Sequence, residues 1–164
     1  MPLFILMGVS GSGKSTIGRC VSEKLKLPFV EGDDFHPAAN VQKMASGTPL
    51  DDGDRIAWID ALDAALNRRP EPNLIVACSA LTQFVRGKIR AQSNRPVVFL
   101  HLTADPTLIA QRLHTRGQHF MKPGMLPSQL ATLQRPESAI AIDTTPGIDE
   151  VCRTVCMEVR ARLT

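Results

Sequence analysis

Apolar residues along the chain fall into two alternating patterns. Short runs at Leu3–Met7, Phe29–Glu31, Asn73–Ser79, Val97–Leu102 and Ser138–Ile142 have the length and composition of buried parallel strands. Between them, apolar positions recur at helical spacing. Ile17, Val21 and Leu25 predict a helix over 15–25. A short helix starts near Asn40 and ends at Gly47, and Ile59, Leu62 and Leu66 form the stripe of the next, with Trp58 packing at its start. Helices are further predicted over 81–91, from Asp105-Pro106 with Leu108, Ile109 and Leu113 inward, over 130–134 after Pro127-Ser128-Gln129, and over 148–163. Strand and helix alternate without internal repeat or low-complexity linker. That order predicts one α/β domain: a parallel sheet with helices on both faces.

The first strand runs directly into Gly8-Val9-Ser10-Gly11-Ser12-Gly13-Lys14-Ser15-Thr16. This fits G-x-x-x-x-G-K-[ST] between a strand and a helix, the context the motif requires. Backbone N–H groups and the positive end of the helix dipole converge there on phosphate. Lys14 reaches the β- and γ-phosphates, and the Ser15 hydroxyl is placed to ligate Mg²⁺. The loop therefore predicts a nucleoside triphosphate and leaves the phosphate's destination open.

Composition narrows that destination. Of 164 residues, 43% are hydrophobic and 21% charged, enough for a full core. The net charge of +3 is scattered, with no basic run longer than Arg68-Arg69, which disfavours a nucleic-acid surface and suits a small anionic ligand. No stretch is long enough to span a membrane, and residues 3–7 lead into the phosphate loop and do not resemble a signal peptide. Cys152 and Cys156, four apart beside Val151, Val155 and Val159, read as small core residues. Free thiols without an export signal predict a cytoplasmic protein.

In a doubly wound sheet, ligands sit at the carboxyl ends of the strands. Glu31 and Asp33 lie at such an end. Asp33 either closes an Asx turn or meets an acceptor hydroxyl, and His36 is either a turn residue or a ligand contact. Asp51 and Asp52 suit a helix N-terminus, whereas Arg55 opposes the dipole and so predicts a carboxylate partner or ligand. Lys43 by default is a solvated cation, and Ser79 either caps a helix or faces the phosphates. Arg112 and Arg116 end a helix just before a glycine- and proline-bearing stretch. They either complement its C-terminus or belong to a lid, about 116–128, that brings cations onto the transferring phosphoryl group.

With these pieces placed, the chain resembles bacterial gluconokinases, relatives of shikimate and nucleoside monophosphate kinases. The resemblance rests on the phosphate loop, Gly32-Asp33 with His36-Pro37, Lys43-Met44, Asp54-Arg55 with Trp58, Cys78-Ser79-Ala80-Leu81, Arg86 with Arg90, His119-Phe120-Met121 and Ser128-Gln129. It departs from the family pattern at Ala57, Thr82, Val85 and Gly87. The resemblance implies a P-loop kinase three-layer sandwich of strand order 2-3-1-4-5, with an acceptor region at about 33–66. It implies ATP-dependent phosphorylation of D-gluconate on its 6-hydroxyl with Mg²⁺, commonly in a homodimer. A kinase for shikimate or another sugar acid is the alternative. The expected roles are Lys14, Asp33 and Arg116 in catalysis. Gly8, Ser10, Gly11, Ser12, Gly13, Lys14, Ser15, Thr16, Arg112, Arg116, Thr144 and Pro146 would contact the nucleotide. Asp33, His36, Lys43, Arg55, Ser79, Arg86 and His119 would contact the acceptor, and Ser15 the metal.

Overall fold

A computed structural model describes residues 1–116 and 125–163. In chain order the elements are β1 (Leu3–Met7), α1 (Lys14–Leu25), β2 (Phe29–Glu31), a 3₁₀ turn (Gly32–Phe35), α2 (Ala38–Ala45) and α3 (Asp52–Asn67). They continue with β3 (Leu74–Ala77), α4 (Gln83–Gln92), β4 (Val97–Thr103), α5 (Pro106–Arg116), α6 (Met125–Thr132), β5 (Ile140–Asp143) and α7 (Ile148–Arg160). The strands form one parallel sheet in the order β2-β3-β1-β4-β5.

β1 is central, pairing β3 on one side and β4 on the other. All five of its residues are fully buried, because both faces of the sheet are covered. Leu3, Ile5 and Met7 join Trp58, Ile59, Leu62, Val85 and Ile89 under α3 and α4. Phe4 and Leu6 point the other way, into Ile17, Val21, Val151 and Val155 of α1 and α7. A single side chain of this size buried from water contributes about 1.5–3 kcal/mol, so the strand holding the phosphate loop is among the best-anchored parts of the chain.

Four expectations shift. The strand predicted at 138–142 is Ile140–Asp143, because Ser138 and Ala139 belong to the preceding turn. The helix predicted from residue 81 starts at Gln83, since the Thr82 hydroxyl caps it by accepting from Val85 N at 3.2 Å. The helix predicted over 130–134 is Met125–Thr132 and includes Pro127, which the first helical turn tolerates. The fourth shift concerns the thiols. Cys20 on α1 and Cys152 on α7 form a disulfide, while Cys78 and Cys156 are free and buried. The partners stand 132 residues apart and meet because α1 packs on α7, so spacing alone could not pair them. The free-thiol argument for the compartment therefore does not hold. Among the described residues, no helix is long and apolar enough to cross a membrane.

Candidate active site

The site lies at the carboxyl ends of β1, β2 and β3. Gly13 caps α1 with φ 98°, a left-handed conformation that glycine adopts without penalty. Its place lets the loop turn sharply and aim the first N–H groups of α1 at one point. Lys14 Nζ folds back onto the loop, donating to the carbonyls of Gly8 at 2.9 Å and Val9 at 3.0 Å. Burial pulls the Lys14 ammonium below its usual range, and the charges of Asp33 and Glu31 oppose that shift.

Beside it, the Ser15 hydroxyl donates to Glu31 Oε2 at 2.5 Å. Burial pushes the Glu31 carboxyl upward, and the Ser15 hydrogen bond partly offsets this. Sequence reasoning placed Glu31 at the strand end without assigning it a function; the available signal was its position two residues before Asp33. Ser15 Oγ and Glu31 Oε2 are hard oxygen donors side by side next to the phosphate loop. That chemistry suits a small divalent cation also held by phosphate oxygens.

β2 leads directly into the 3₁₀ turn that carries Asp33. Gly32 is required there, because a Cβ would collide with the Ala77 carbonyl. The Trp58 indole donates to the Gly32 carbonyl at 2.8 Å and locks the turn from α3. Asn40 Nδ2 donates to the Asp54 carbonyl at 2.9 Å and lies 3.3 Å from His36 Nδ1. An amide nitrogen can only donate, so Nδ1 accepts and Nε2 carries the proton, 3.7 Å from Asp33 Oδ1. Desolvation pushes the Asp33 carboxyl up, but the His36 ring and the Lys14 charge outweigh it and hold it below the usual range. Asp33 is thus a carboxylate at neutral pH.

Two clefts meet at the phosphate loop. One is lined by Ser10, Lys14, Asp33, His36, Arg55 and Ser79, and α6 closes its far side. Arg55 reaches it from the first turn of α3, where Asp51 and Asp54 form a reciprocal capping box and Asp52 pairs with Arg55 at 3.1 Å. The other cleft is lined by Ser12, Gly13, Thr16, Arg112, Arg116 and Pro146. Arg112 donates to Thr144 Oγ1 at 2.9 Å and to the Thr144 carbonyl at 2.5 Å, and Arg116 lies 3.3 Å from Thr16 Oγ1. The first cleft therefore gathers Asp33, His36, Arg55 and Ser79 of the expected acceptor residues, with Lys14 also on its wall, and the second gathers Ser12, Gly13, Thr16, Arg112, Arg116, Thr144 and Pro146 of the expected nucleotide residues.

Three expected ligands are placed differently. Arg86 is 4% exposed, and its guanidinium is occupied by the carbonyls of Ala80, Leu81 and Gln134. It holds backbone together and does not face the cleft. Lys43 bonds Asp54 at 2.7 Å and ties α2 to α3; its neighbour Met44 lines the cleft instead. The Ser10 N–H, expected on phosphate, donates to Gln129 Oε1 at 2.7 Å. His119 lies outside the described residues, as does most of the expected lid.

A phosphate loop at the head of a five-stranded parallel sheet, facing an acid and an arginine across a second cleft, defines a small P-loop phosphotransferase. A family model described as AAA domain matches residues 5–129. The thermoresistant gluconokinase of Escherichia coli K12 is 45% identical over 82% of this chain and 77% of its own length. The thermosensitive gluconokinase of the same strain is 40% identical over 96% of this chain and 88% of its own. The crystal structure of a gluconokinase from Sinorhizobium meliloti 1021 superposes with a TM-score of 0.83 at 34% identity, covering 99% of this chain and 98% of that one. The chain belongs to the gluconokinase family.

Proposed function

We propose that this chain transfers the γ-phosphoryl group of ATP to the 6-hydroxyl of D-gluconate, giving 6-phosphogluconate. The observation that carries the reading is the cleft in which Lys14, Asp33, His36 and Arg55 face one another beside the phosphate loop. Phosphoryl transfer depends on positioning and charge neutralisation more than on covalent chemistry, and these residues divide that work.

The amides of the Gly11–Ser15 segment and Lys14 hold the β- and γ-phosphates, while Arg112, Thr144 and Pro146 border the adenine. Arg116 adds positive charge from the end of α5. Asp33 orients the 6-hydroxyl and accepts its proton, and His36 keeps that carboxylate in place and charged. Arg55 grips the gluconate carboxylate through its fork of N–H donors, and Ser79 meets hydroxyls along the sugar chain. Ser15 would hold Mg²⁺, with Glu31 behind it, and the ion would neutralise charge on the phosphate oxygens. Family membership supports a homodimer and a cytoplasmic setting, which light scattering and cell fractionation test.

The experiment is ADP release from ATP across D-gluconate, other aldonates, shikimate and nucleoside monophosphates. Release above the ATPase background with gluconate, and far less with the rest, is expected. Preference for another acceptor, or no acceptor-dependent release, would overturn the reading.

A further inference from the structure

The far wall of the acceptor cleft is α6, with Met125, Ser128 and Thr132 facing in. Just beyond it, Gln134 N donates to the Leu81 carbonyl at 2.9 Å, and Gln134 Oε1 accepts from Gln83 N at 2.6 Å. Arg86 completes the anchor by donating to the carbonyls of Ala80, Leu81 and Gln134. It stabilises Ala80 at φ 44°, a left-handed conformation that alanine seldom adopts. The end of the wall is therefore fixed to the β3–α4 turn. On the loop side, Leu126 and Leu130 of the wall share an apolar cluster with Val9, and the Ser10 N–H donates to Gln129 Oε1, 119 residues away in sequence, at 2.7 Å. Ser10 belongs to the phosphate loop and also lines the acceptor cleft.

We propose that Gln129 is a positioning residue for phosphoryl transfer: by holding the Ser10 amide it sets the spacing between the acceptor wall and the phosphate loop. The inference rests on the gluconokinase reading. In-line transfer needs the hydroxyl at near-attack distance, and a displacement of about 1 Å can lower the rate about 100-fold. Gln129 joins the surface that borders the acceptor to the loop that cradles the donor, so its bond fixes that distance together with the packing of Leu126 on Val9. Gln129 is not among the residues that line the nucleotide cleft, which include Gly13, Thr16, Arg112 and Arg116.

Gln129→Met keeps side-chain length and removes the acceptor oxygen; Gln129→Glu restores an oxygen at the same reach. The Met variant is expected to lose about 10- to 100-fold in kcat with gluconate. Its KM values, melting temperature and gluconate-independent ATP hydrolysis should stay near wild type, and the Glu variant should recover part of kcat. Independently of any acceptor, hydrogen exchange at the Ser10 amide should quicken in the Met variant, while the Gly8 amide, bonded to the Ser79 carbonyl at 3.2 Å, keeps its protection. Wild-type kcat in the Met variant, a loss confined to the gluconate KM, a parallel fall in hydrolysis and melting temperature, or unchanged Ser10 exchange would each overturn the proposal. Absence of gluconate turnover by the wild-type enzyme would instead refute the substrate assignment, and the exchange measurement would still decide the Ser10–Gln129 coupling.

Discussion

His36 and Trp58 stack ring on ring, with centroids 4.1 Å apart and planes inclined by 16°. The stack fixes the imidazole beside Asp33, and the Trp58 indole also holds the Gly32 carbonyl. Trp58→Phe keeps an aromatic face but leaves that buried carbonyl without its donor. An unsatisfied buried group costs about 1–3 kcal/mol, which corresponds to a drop of about 2–10 °C in melting temperature for a chain of this size. Thermal melts check this, and an unchanged midpoint would contradict the placement.

Arg55 tests the acceptor side. Its guanidinium is largely buried at the cleft rim and paired to Asp52. A charged hydrogen bond contributes roughly 1.5–3 kcal/mol, so Arg55→Ala should lower kcat/KM for gluconate about 10- to 150-fold. Initial-rate kinetics with each substrate varied decide the matter. A change confined to the ATP KM would move Arg55 to the nucleotide side.

Glu31 sets a pH dependence. Its carboxyl is pushed above the usual range by burial, and the proposed metal site needs its ionised form. Activity should therefore fall as pH drops through that raised value, at higher pH than an ordinary glutamate would dictate. Glu31→Gln should remove this acid limb and raise the Mg²⁺ concentration for half-maximal rate about 10- to 100-fold. Identical pH and Mg²⁺ profiles for the two proteins would contradict the assignment.

Asp63 bears on stability and not on chemistry. It is 3% exposed on α3, and neither carboxylate oxygen has a hydrogen-bond partner among the described residues. Burial pushes it up to about 6, with Lys88 pulling down and Asp60 adding to the rise. The folded state thus binds a proton more tightly than the unfolded chain. The native state is favoured below the unfolded value and loses stability as pH rises through about 6, by on the order of 3 kcal/mol. Asp63→Asn should raise the melting temperature at pH 7.5 by several degrees, and the margin should vanish near pH 4. A margin independent of pH would contradict this account.

Local features were legible in the sequence: the phosphate loop between Met7 and Ser15, the strand over 97–102, and Asp33 at a strand end. Each depends on residues close together in the chain. What escaped is non-local. Nothing around Arg86 distinguishes a guanidinium that clamps three carbonyls from one that meets a ligand. Cys20 and Cys152 pair, and Gln129 meets Ser10, only once helices far apart in sequence pack side by side. From sequence alone Lys43 is a solvated cation; in the structure it pairs with Asp54 of the capping box, which depends on how α2 folds back onto α3.

Asp33, placed beside His36 and the Lys14 charge, is proposed to serve the acceptor hydroxyl. The most direct test compares kcat for gluconate in wild type and Asp33→Asn at saturating ATP. A positioned general base contributes about 10²- to 10⁴-fold, and the account predicts a loss in that range with the ATP KM nearly unchanged. Full turnover by Asp33→Asn would contradict it.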